Sequence, residues 1–421
     1  MPLPSQSQLL LPLLATLDER GGALPAKSAC DALAERLSLT PEERHETVTL
    51  PSGTYSRFDR HVRFVRQRAR DLGFIGGEAR NLWTLTPAGR NGLRDAQPRV
   101  VVTIYETDRG AALFATAESA AQVIQDGSVS LLLTSPPFAM LRAKPYQTVI
   151  STDEYVSWLL GLAKEWTRLL SDTGSLVLNL GQCYEPGRPT VSLYREELYL
   201  ALRKQLGLFL VSDGYWANPS KMPAPAEWVT VRRIRVTGNV EHVYAFAKTP
   251  YPAWDNRRCL VPYSDAMQKR LTAGGERGAR RPSGHVLAPG AFDRDNGGAI
   301  ARHLHVAAHT SSRDAYQAFC RAEGLPIHPA RFPASLVEHW VKLTTAPGDL
   351  VYDAFGGSLT TAEVCERLDR RWLSSERSLT YLAGARPRLA NAPGFIDHLR
   401  ATWAHAQPPV PSTLEVTECS R

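Results

Sequence analysis

Several features that define common protein classes are missing from this sequence. Its 421 residues contain six cysteines, which are widely spaced and form no CxxC pair. This spacing argues against a zinc cluster or a disulfide framework and fits a reducing compartment. The N-terminus lacks a basic stretch followed by a cleavage site, and no apolar run approaches the roughly 18 residues that a membrane span needs. We therefore expect a soluble cytoplasmic protein with no bound metal and no membrane partner.

The composition supports two or three hydrophobic cores. Hydrophobic residues make up 43% of the chain, and domains usually contain roughly 100 to 200 residues. The chain has 49 Lys and Arg against 42 Asp and Glu, a formal net charge of +7. This excess suits a polyanionic partner without identifying one.

Residues 1–95 have the pattern of a separate unit, with helical periodicity near 6–18, 27–37 and 55–72. In the third segment the apolar residues recur at helical spacing, and arginines lie largely on the opposite side. The apolar set is Phe58, Val62, Val65, Ala69 and Leu72, and the basic set is Arg57, Arg60, Arg63 and Arg70. The extended pieces "GFI" and "LWTLT" predict a β-wing after this helix. The unit resembles the winged-helix domain at the N-terminus of Mrr-type restriction proteins; a solvated arginine face and an unrelated helical bundle are the alternatives.

Strand and helix patterns alternate from residue 100 to 254 and again from 326 to 400. Such alternation predicts an α/β fold in which helices cover both faces of a parallel sheet. Between 255 and 325 the pattern gives way to a stretch rich in Gly and Arg, with no obvious core. Residues 401–421 form a C-terminal tail.

The stretch "LLLTSPPFAM", residues 131–140, ends an aliphatic run with two prolines. Proline has no backbone donor and a fixed φ, so this segment is rigid and cannot continue a strand ladder. It either caps an ordinary strand or holds Ser135 and Phe138 in a fixed pose over a site.

A second motif, "DLVYDAFGGSLTTAEVCERLDRRWLSSERS", predicts a strand ending at Asp353, a tight turn, a helix and a strand ending at Glu376. Glycines in such a turn let the backbone approach a ligand, and an acid ending the next strand can bind a ribose diol. The GxGxxG of a dinucleotide site is missing, and Asp353 would repel a pyrophosphate. A methionine-type nucleoside is therefore favoured, the alternative being an ordinary strand-to-helix turn.

Both motifs follow aliphatic strands and should lie at strand carboxyl ends. In an open α/β sheet the ligand crevice lies outside those ends, where the strand order reverses. The two motifs are therefore predicted to face one another there.

With both motifs in view, the sequence resembles the DNA methyltransferases that modify exocyclic amino groups, specifically the N4-cytosine type. The catalytic motif is carried by Thr134, Ser135, Pro136, Pro137 and Phe138, and the cofactor motif by Asp353, Phe355, Gly356, Gly357 and Ser358, with "HPARFP" at 328–333, including Phe332, just upstream. The order of the motifs is similar to the permuted β class. The resemblance covers about 103 to 390 and implies a Rossmann-like class I methyltransferase sheet, with 255–325 as the target-recognition region.

The resemblance implies S-adenosylmethionine as cofactor and a flipped cytosine in double-stranded DNA as substrate. The Ser135 hydroxyl and the Pro136 carbonyl would accept the amino hydrogens of cytosine N4, which localises its lone pair, and Phe138 would stack on the base. Serine with phenylalanine favours cytosine, whereas Asp-Pro-Pro-Tyr would point to adenine. N6-adenine methylation and a DNA-binding regulator with a decayed catalytic motif are the alternatives.

Further candidate binding residues match the family's motifs less closely. Thr116, Glu118 and Asn179 are secondary cofactor-binding candidates, at positions where the family often has an acid, and Leu359 stands where a glycine is common. The candidate nucleic-acid-binding residues are Arg57, Arg60, Arg63, Lys221, Arg232, Arg233, Arg280 and Arg281. Among them Lys221, Arg232 and Arg233 are predicted phosphate contacts, the alternative being solvent-exposed charge. A cognate restriction endonuclease and a second copy of the chain are further candidate partners.

Overall fold

The computed structural model describes residues 5–77, 81–139, 151–276, 278–308 and 314–399. The predicted tail at 401–421 lies outside the described residues. Up to residue 95 the elements are α1 Leu10–Glu19, β1 Ala23–Pro25, α2 Ala26–Arg36, α3 Pro41–His45, β2 Thr47–Leu50, β3 Gly53–Ser56, α4 Arg57–Asp71, β4 Ile75–Gly76, β5 Leu82–Leu85 and α5 Pro87–Gly92. Strands β1, β5 and β4 form an antiparallel sheet in that order, and β2 pairs with β3 in a separate hairpin.

Helix α4 has the two faces that its sequence predicts. The Ser56 side chain accepts a hydrogen bond from the Asp59 backbone N–H and caps the helix N-terminus. The predicted apolar residues Phe58, Val62, Val65 and Ala69 are buried on one side. The two extended pieces predicted to form a wing are strands β4 and β5, which follow the helix and pair antiparallel. The unit joins the rest of the chain through backbone hydrogen bonds from Ala96 to Arg377 and from Leu379 to Arg94.

The remaining elements alternate as predicted. In chain order they are β6 Val101–Glu106, β7 Gly110–Ala115, α6 Ala117–Ala121, β8 Val129–Thr134, α7 Thr152–Leu169, β9 Leu170–Leu180, α8 Tyr194–Gln205, β10 Phe209–Ala217, β11 Val240–Ala247, α9 Asp265–Thr272, β12 Ala279–Arg280, β13 Val286–Leu287, β14 Leu304–Val306, α10 Ala315–Ala322, α11 Ala334–Thr344, β15 Leu350–Asp353, α12 Thr360–Arg367, β16 Arg371–Glu376, α13 Leu379–Ala385 and β17 Ile396–Asp397. None of the helices among the described residues combines the length and apolarity needed to cross a bilayer.

Ten strands form one mixed sheet, in the order β14–β10–β11–β9–β8–β15–β16–β7–β6–β17. Its five central strands, from β9 to β7, are mutually parallel, and antiparallel strands β11 and β6 flank them. The chain runs from β8 outward to β9 on one side, and from β15 outward to β16 on the other. The strand order therefore reverses between β8 and β15, which is where such sheets bind ligands.

Alternate residues of strand β8 enter two different cores. Leu131 and Leu133 pack in one layer with residues of α11, whereas Leu132 packs in the other with residues of α7. This alternation follows from the two-residue period of a strand, and it explains why β8 reads as a continuous aliphatic run. The cysteines Cys183 and Cys365 are buried free thiols that pack in these layers.

The segment predicted to be irregular, 255–325, divides into two parts. Its first part contains only short elements among the described residues, including the hairpin β12–β13. However, β14 pairs in parallel with β10 at the edge of the main sheet. Helix α10 also falls within the predicted range, yet its Tyr316 and Cys320 are fully buried in the core. The irregular segment therefore ends before α10.

Candidate active site

The end of strand β8 is hydrogen-bonded directly to the end of strand β15. Thr134, the last residue of β8, is fully buried, and its Oγ1 donates to Oδ1 of Asp353 at 2.8 Å. The backbone N–H of Phe355 donates to the same threonine hydroxyl at 3.2 Å. Thr134 and Asp353 are 219 residues apart in the sequence, so the prediction that the two motifs face one another is confirmed.

Asp353 is the junction between three parts of the fold. Besides Thr134, its Oδ1 accepts the Phe355 N–H at 3.2 Å, and its Oδ2 accepts the Thr361 hydroxyl at 2.7 Å. The residue is 3% exposed, and burial raises the pKa of its carboxyl. The carboxylate thus ties β8, the glycine turn and the first turn of α12 together. Thr361 was not singled out from the sequence, although it belongs to the same "GGSLTT" motif.

The glycine turn lies tightly against strand β16. The Gly356 N–H donates to the Ser375 carbonyl at 2.8 Å, and a Cβ at Gly356 would collide with the Ser374 hydroxyl. Gly357 has a φ of +51°, a region that favours glycine. Both predicted glycines are therefore required by the local geometry. Next to them, Phe355 packs edge-on against two tryptophans of α7, Trp158 and Trp166.

Leu359 occupies the position where the family commonly has glycine, and its backbone explains that preference. Its φ of 58° and ψ of 33° are left-handed, at the N-cap of α12. A left-handed conformation costs a non-glycine residue roughly 1–2 kcal/mol. Its side chain, however, is fully buried in the core, so the strain is offset by apolar burial.

Substitutions at Leu359 should separate these two effects. Leu359→Gly relieves the strain but loses a burial contribution of about 2–5 kcal/mol, so we expect a net loss of roughly 1–3 kcal/mol. Leu359→Ala loses most of the burial and keeps the strain, and should be about 1 kcal/mol less stable than the glycine variant. Thermal unfolding midpoints would show the order.

Leu336, which is buried within helix α11, offers the matched control. There glycine should be the less stable variant by about 1 kcal/mol, because a helical backbone favours alanine. If Leu359→Ala unfolded at a higher temperature than Leu359→Gly, the left-handed conformation would be contradicted.

Glu376 ends strand β16 beside the glycine turn. Its Oε2 accepts the Gly357 N–H and its Oε1 accepts the Ser378 N–H, both at 2.8 Å. Burial raises the pKa of this carboxyl to about 7, although the two backbone donors act in the opposite direction. Each oxygen keeps a second lone pair. A carboxylate in this position, next to a close-packed glycine turn, fits the diol of a nucleoside.

On the other side of β8, Ser135 contacts the end of strand β9. The Nδ2 of Asn179 donates to the Ser135 hydroxyl at 3.2 Å and to Oε2 of Glu241 at 2.9 Å. The Ser135 Oγ also lies 3.5 Å from the Asn179 backbone carbonyl. Glu241 in turn forms an ion pair with Lys221 at 3.0 Å. Asn179, a predicted cofactor ligand, is thus separated from the glycine turn by β8, and its observed contacts are with Ser135 and Glu241.

The Phe138 ring packs on the backbone of Gly181, where an added Cβ would collide with it. Pro136 is buried, whereas Pro137 and Phe138 are half-buried. The end of the motif, from residue 140, lies outside the described residues. A role for Phe138 in stacking on a base stays a prediction.

The secondary cofactor candidates have structural roles in the observed contacts. Thr116 caps helix α6 by accepting the Ser119 N–H at 3.2 Å, and Glu118 accepts the indole N–H of Trp158 at 3.0 Å. Both follow strand β7, the neighbour of β16, and so lie on the same side of β8 as the glycine turn. Phe332 packs against the core. His328 begins the motif "HPARFP" but was not assigned a role from the sequence; its ring lies where a Cβ on Gly357 would contact it.

Most of the candidate DNA contacts lie on the surface. Arg57, Arg60, Arg63, Arg232, Arg233, Arg280 and Arg281 are exposed. Three of them also pair with nearby carboxylates, in the pairs Arg57–Glu46, Arg232–Glu227 and Arg281–Glu276. Lys221 differs, because it is half-buried and its ammonium group pairs with the buried Glu241.

Comparison with known proteins gives two matches to protein families. Residues 129–386 match the family described as DNA methylase, and residues 7–95 match the Mrr N-terminal domain. The type II methyltransferase M.PvuII of Proteus hauseri is 40% identical over 283 residues, which are 67% of this chain and 84% of the relative. The type II methyltransferase M.BglII of Bacillus subtilis is 26% identical over 270 residues, 64% of this chain and 66% of the relative.

A solved structure, the cytosine-N4-specific PvuII DNA methyltransferase, superimposes with a TM-score of 0.55 at 34% sequence identity. The superposition covers 70% of this chain and 91% of that one.

Proposed function

Because the chain belongs to the DNA methylase family, we propose that it transfers the methyl group of S-adenosylmethionine to the N4 amino group of cytosine in duplex DNA. The fold is that of a class I methyltransferase, and the match to the DNA methylase family, residues 129–386, spans both motifs. The observation that carries the proposal is the hydrogen bond between Thr134 and Asp353, which joins the residue before Ser135 to the residue that ends the strand leading into the glycine turn.

The proposed catalytic residues are Ser135, Pro136, Pro137 and Phe138. The exocyclic amino group of cytosine is a poor nucleophile because its lone pair is delocalised into the ring. The Ser135 hydroxyl and the Pro136 carbonyl accept its two hydrogens and so localise the lone pair on nitrogen. The prolines keep this backbone out of any strand ladder. Phe138, whose ring is supported by Gly181, provides a surface on which the flipped base stacks.

S-adenosylmethionine supplies an electrophilic sulfonium methyl group, and the residues around the glycine turn fit its binding. In the proposal, Glu376 accepts hydrogen bonds from the ribose hydroxyls with the lone pairs that its backbone partners leave. Gly356 and Gly357 let the turn lie close to the ligand, and Asp353 holds that turn against β8. Phe355 and Ser358 belong to the same turn, and Thr134 is hydrogen-bonded to it. Thr116, Glu118 and Phe332 are further candidate contacts of the cofactor in this proposal.

Cofactor affinity should depend on pH through Glu376. Its pKa is raised to about 7, and the ionised form is the one that accepts from both hydroxyls. We therefore expect the dissociation constant for S-adenosylmethionine at pH 6 to be roughly 10-fold above that at pH 8, since the ionised fraction changes by that factor. Isothermal titration calorimetry at several pH values would measure it.

Glu376→Gln is the matched control, because it keeps the shape and removes the titration. Its affinity should be weaker than that of the native protein, with only the pH dependence that the cofactor itself contributes. The stability of the fold should change with pH in the opposite direction to the cofactor affinity. Folded protein keeps a proton on Glu376 that unfolded protein releases above about pH 4.5, so the free energy of unfolding should fall as the pH rises from 4.5 to 7. Identical pH profiles for the two proteins would contradict the assignment to Glu376.

We place the DNA across the edge of the sheet that carries both motifs. The exposed arginines at 57, 60, 63, 232, 233, 280 and 281 contact phosphate in this proposal, the N-terminal unit acts as a winged helix, and the segment from 255 reads bases. Arg232 and Arg233 follow Lys221 in the segment between β10 and β11. The named relatives are type II methyltransferases, and we extend to this chain a role in a restriction-modification system, with a cognate endonuclease as partner.

The products of the reaction test the proposal. The protein would be incubated with S-adenosylmethionine and unmethylated genomic DNA, and the digested nucleosides would be analysed by mass spectrometry. We expect N4-methylcytosine without N6-methyladenine. N6-methyladenine alone would replace cytosine by adenine as the target base, and the absence of both products would favour a DNA-binding regulator.

A further inference from the structure

A buried ion pair lies directly behind the proposed catalytic serine. Glu241, at the start of β11, is 7% exposed. Its Oε2 accepts a hydrogen bond from Asn179 at 2.9 Å, and its Oε1 accepts one from Lys221 at 3.0 Å. We propose that Lys221 and Glu241 are positioning residues for methyl transfer, which act on Ser135 through the side-chain amide of Asn179. This inference rests on the proposed function.

The ion pair fixes which way the Asn179 amide points. An ionised carboxylate only accepts hydrogen bonds, so Glu241 requires the NH₂ group of the amide on its side. If the amide rotated by 180°, its oxygen would face the carboxylate oxygens and the two would repel. In the observed orientation Nδ2 bridges Glu241 and Ser135, while the buried Oδ1 has no hydrogen-bond partner among the described residues.

This orientation determines what the Ser135 hydroxyl can offer a base. One lone pair of Oγ accepts the Asn179 N–H, and the hydroxyl hydrogen lies toward the Asn179 backbone carbonyl. One lone pair is left in a fixed direction, ready to accept an amino hydrogen of the substrate. Such preorganised acceptors need no reorientation during the reaction, which is the main source of their catalytic effect. Without Glu241 the orientation of the Asn179 amide would no longer be fixed, and the direction of this lone pair would not be fixed either.

Lys221 supplies the charge that makes a buried carboxylate tolerable. Its loop is held at both ends, because the Asn218 N–H donates to the Asn239 carbonyl at 2.8 Å and the Asn218 side chain accepts the Ser220 N–H at 3.1 Å. The hydrogen bonds of this loop therefore hold Lys221 next to Glu241. The sequence predicted that Lys221 contacts a DNA phosphate. That role and the positioning role predict different effects when Lys221 is substituted.

The test compares three variants, Glu241→Gln, Lys221→Met and the double variant, in the full-length protein. We would measure the single-turnover rate at saturating DNA and S-adenosylmethionine, the dissociation constant for DNA at several salt concentrations, and the thermal midpoint. Lys342→Met is the matched control, because it breaks the Lys342–Glu338 pair on helix α11, away from the site.

If the pair positions Ser135, Glu241→Gln and Lys221→Met should lower the single-turnover rate by roughly 10- to 100-fold, with DNA affinity and its salt dependence unchanged. The double variant should be faster than Lys221→Met, because it removes the uncompensated carboxylate, and Lys221→Arg should retain most of the rate. Lys342→Met should match the native protein. Lys221→Met leaves a buried carboxylate unpaired and carries the risk of unfolding. Glu241→Gln leaves only the half-buried, solvent-accessible Lys221 without its carboxylate, so it can serve as the test by itself.

Two results would overturn the inference. One is a native rate at saturation for Glu241→Gln. The other is a Lys221→Met variant with a native rate but weaker DNA binding and a salt slope reduced by about 1, which would assign Lys221 to a phosphate. An inactive native protein would instead count against the proposed function, so the two failures are distinguishable.

Discussion

Replacing Ser135 by alanine is expected to lower the single-turnover rate of methyl transfer by roughly 10²- to 10³-fold, the usual effect of removing one preorganised polar group from a reaction centre. The fold should be almost unaffected. The hydroxyl makes hydrogen bonds only with Asn179 among the described residues, and the Asn179 amide keeps its bond to Glu241. A bond of this kind contributes about 0.5–1.5 kcal/mol to stability.

The measurement is transfer of labelled methyl groups to duplex DNA, together with the dissociation constants for DNA and S-adenosylmethionine, which should stay within about threefold of native. Ser128→Ala is the matched control. Ser128 precedes the opposite end of the same strand, and its hydroxyl donates to the Gln125 carbonyl. The control should be fully active. A Ser135→Ala protein with a near-native rate would remove the serine from the mechanism and weaken the N4-cytosine assignment.

Replacing Asp353 by alanine should have the largest effect on the molecule as a whole. The substitution leaves the hydroxyls of Thr134 and Thr361 buried without their acceptor, and the Phe355 N–H keeps only its bond to the Thr134 hydroxyl. Buried donors without a partner cost about 1–3 kcal/mol each, so we expect a loss of roughly 2–5 kcal/mol. Because the same carboxylate holds the glycine turn against β8, affinity for S-adenosylmethionine should fall by at least about 100-fold, which corresponds to about 2.7 kcal/mol.

Asp353→Asn separates the hydrogen bonds of this side chain from its charge. The asparagine oxygen can still accept a hydrogen bond, and a neutral group avoids the burial cost that raises the pKa of the native carboxyl. It should therefore lose less than half the stability that alanine loses. Asp349→Ala, a change of the same type at the start of the same strand, is the control. A native thermal midpoint for Asp353→Ala would show that the junction contributes nothing to the fold.

Much of the local structure was predictable because it depends on residues that are close in the sequence. The apolar period of α4 predicts the buried residues Phe58, Val62, Val65 and Ala69, and they are buried. The strand ends at Asp353 and Glu376 also follow from local pattern and turn chemistry. The adjacency of the two motifs required one further rule, that carboxyl ends of parallel strands share one edge of the sheet.

Other contacts could not be predicted from the sequence. They join residues that come together only once the order of the strands in the sheet is known. Nothing local to Lys221 or Glu241 indicates that they form a pair, since their contact requires the loop between β10 and β11 to fold back onto β11. The contact of Glu241 with Asn179 requires in addition that β11 lies beside β9. The structure therefore turns a predicted surface lysine into a half-buried partner of Glu241. Strand β14 is similar, because its three residues become part of the main sheet only by pairing with β10.

The sequence by itself determined the class of fold, the two motifs and the chemistry that their residue types favour. The aliphatic runs, prolines and glycines act through covalent geometry and short-range sterics, which are the same in any tertiary context. Only the tertiary structure decided that Asp353 bonds to Thr134, that Asn179 faces Ser135 and that Leu359 is left-handed. These contacts depend on side-chain directions at the ends of neighbouring strands, and the order of those strands is fixed by packing of the whole sheet.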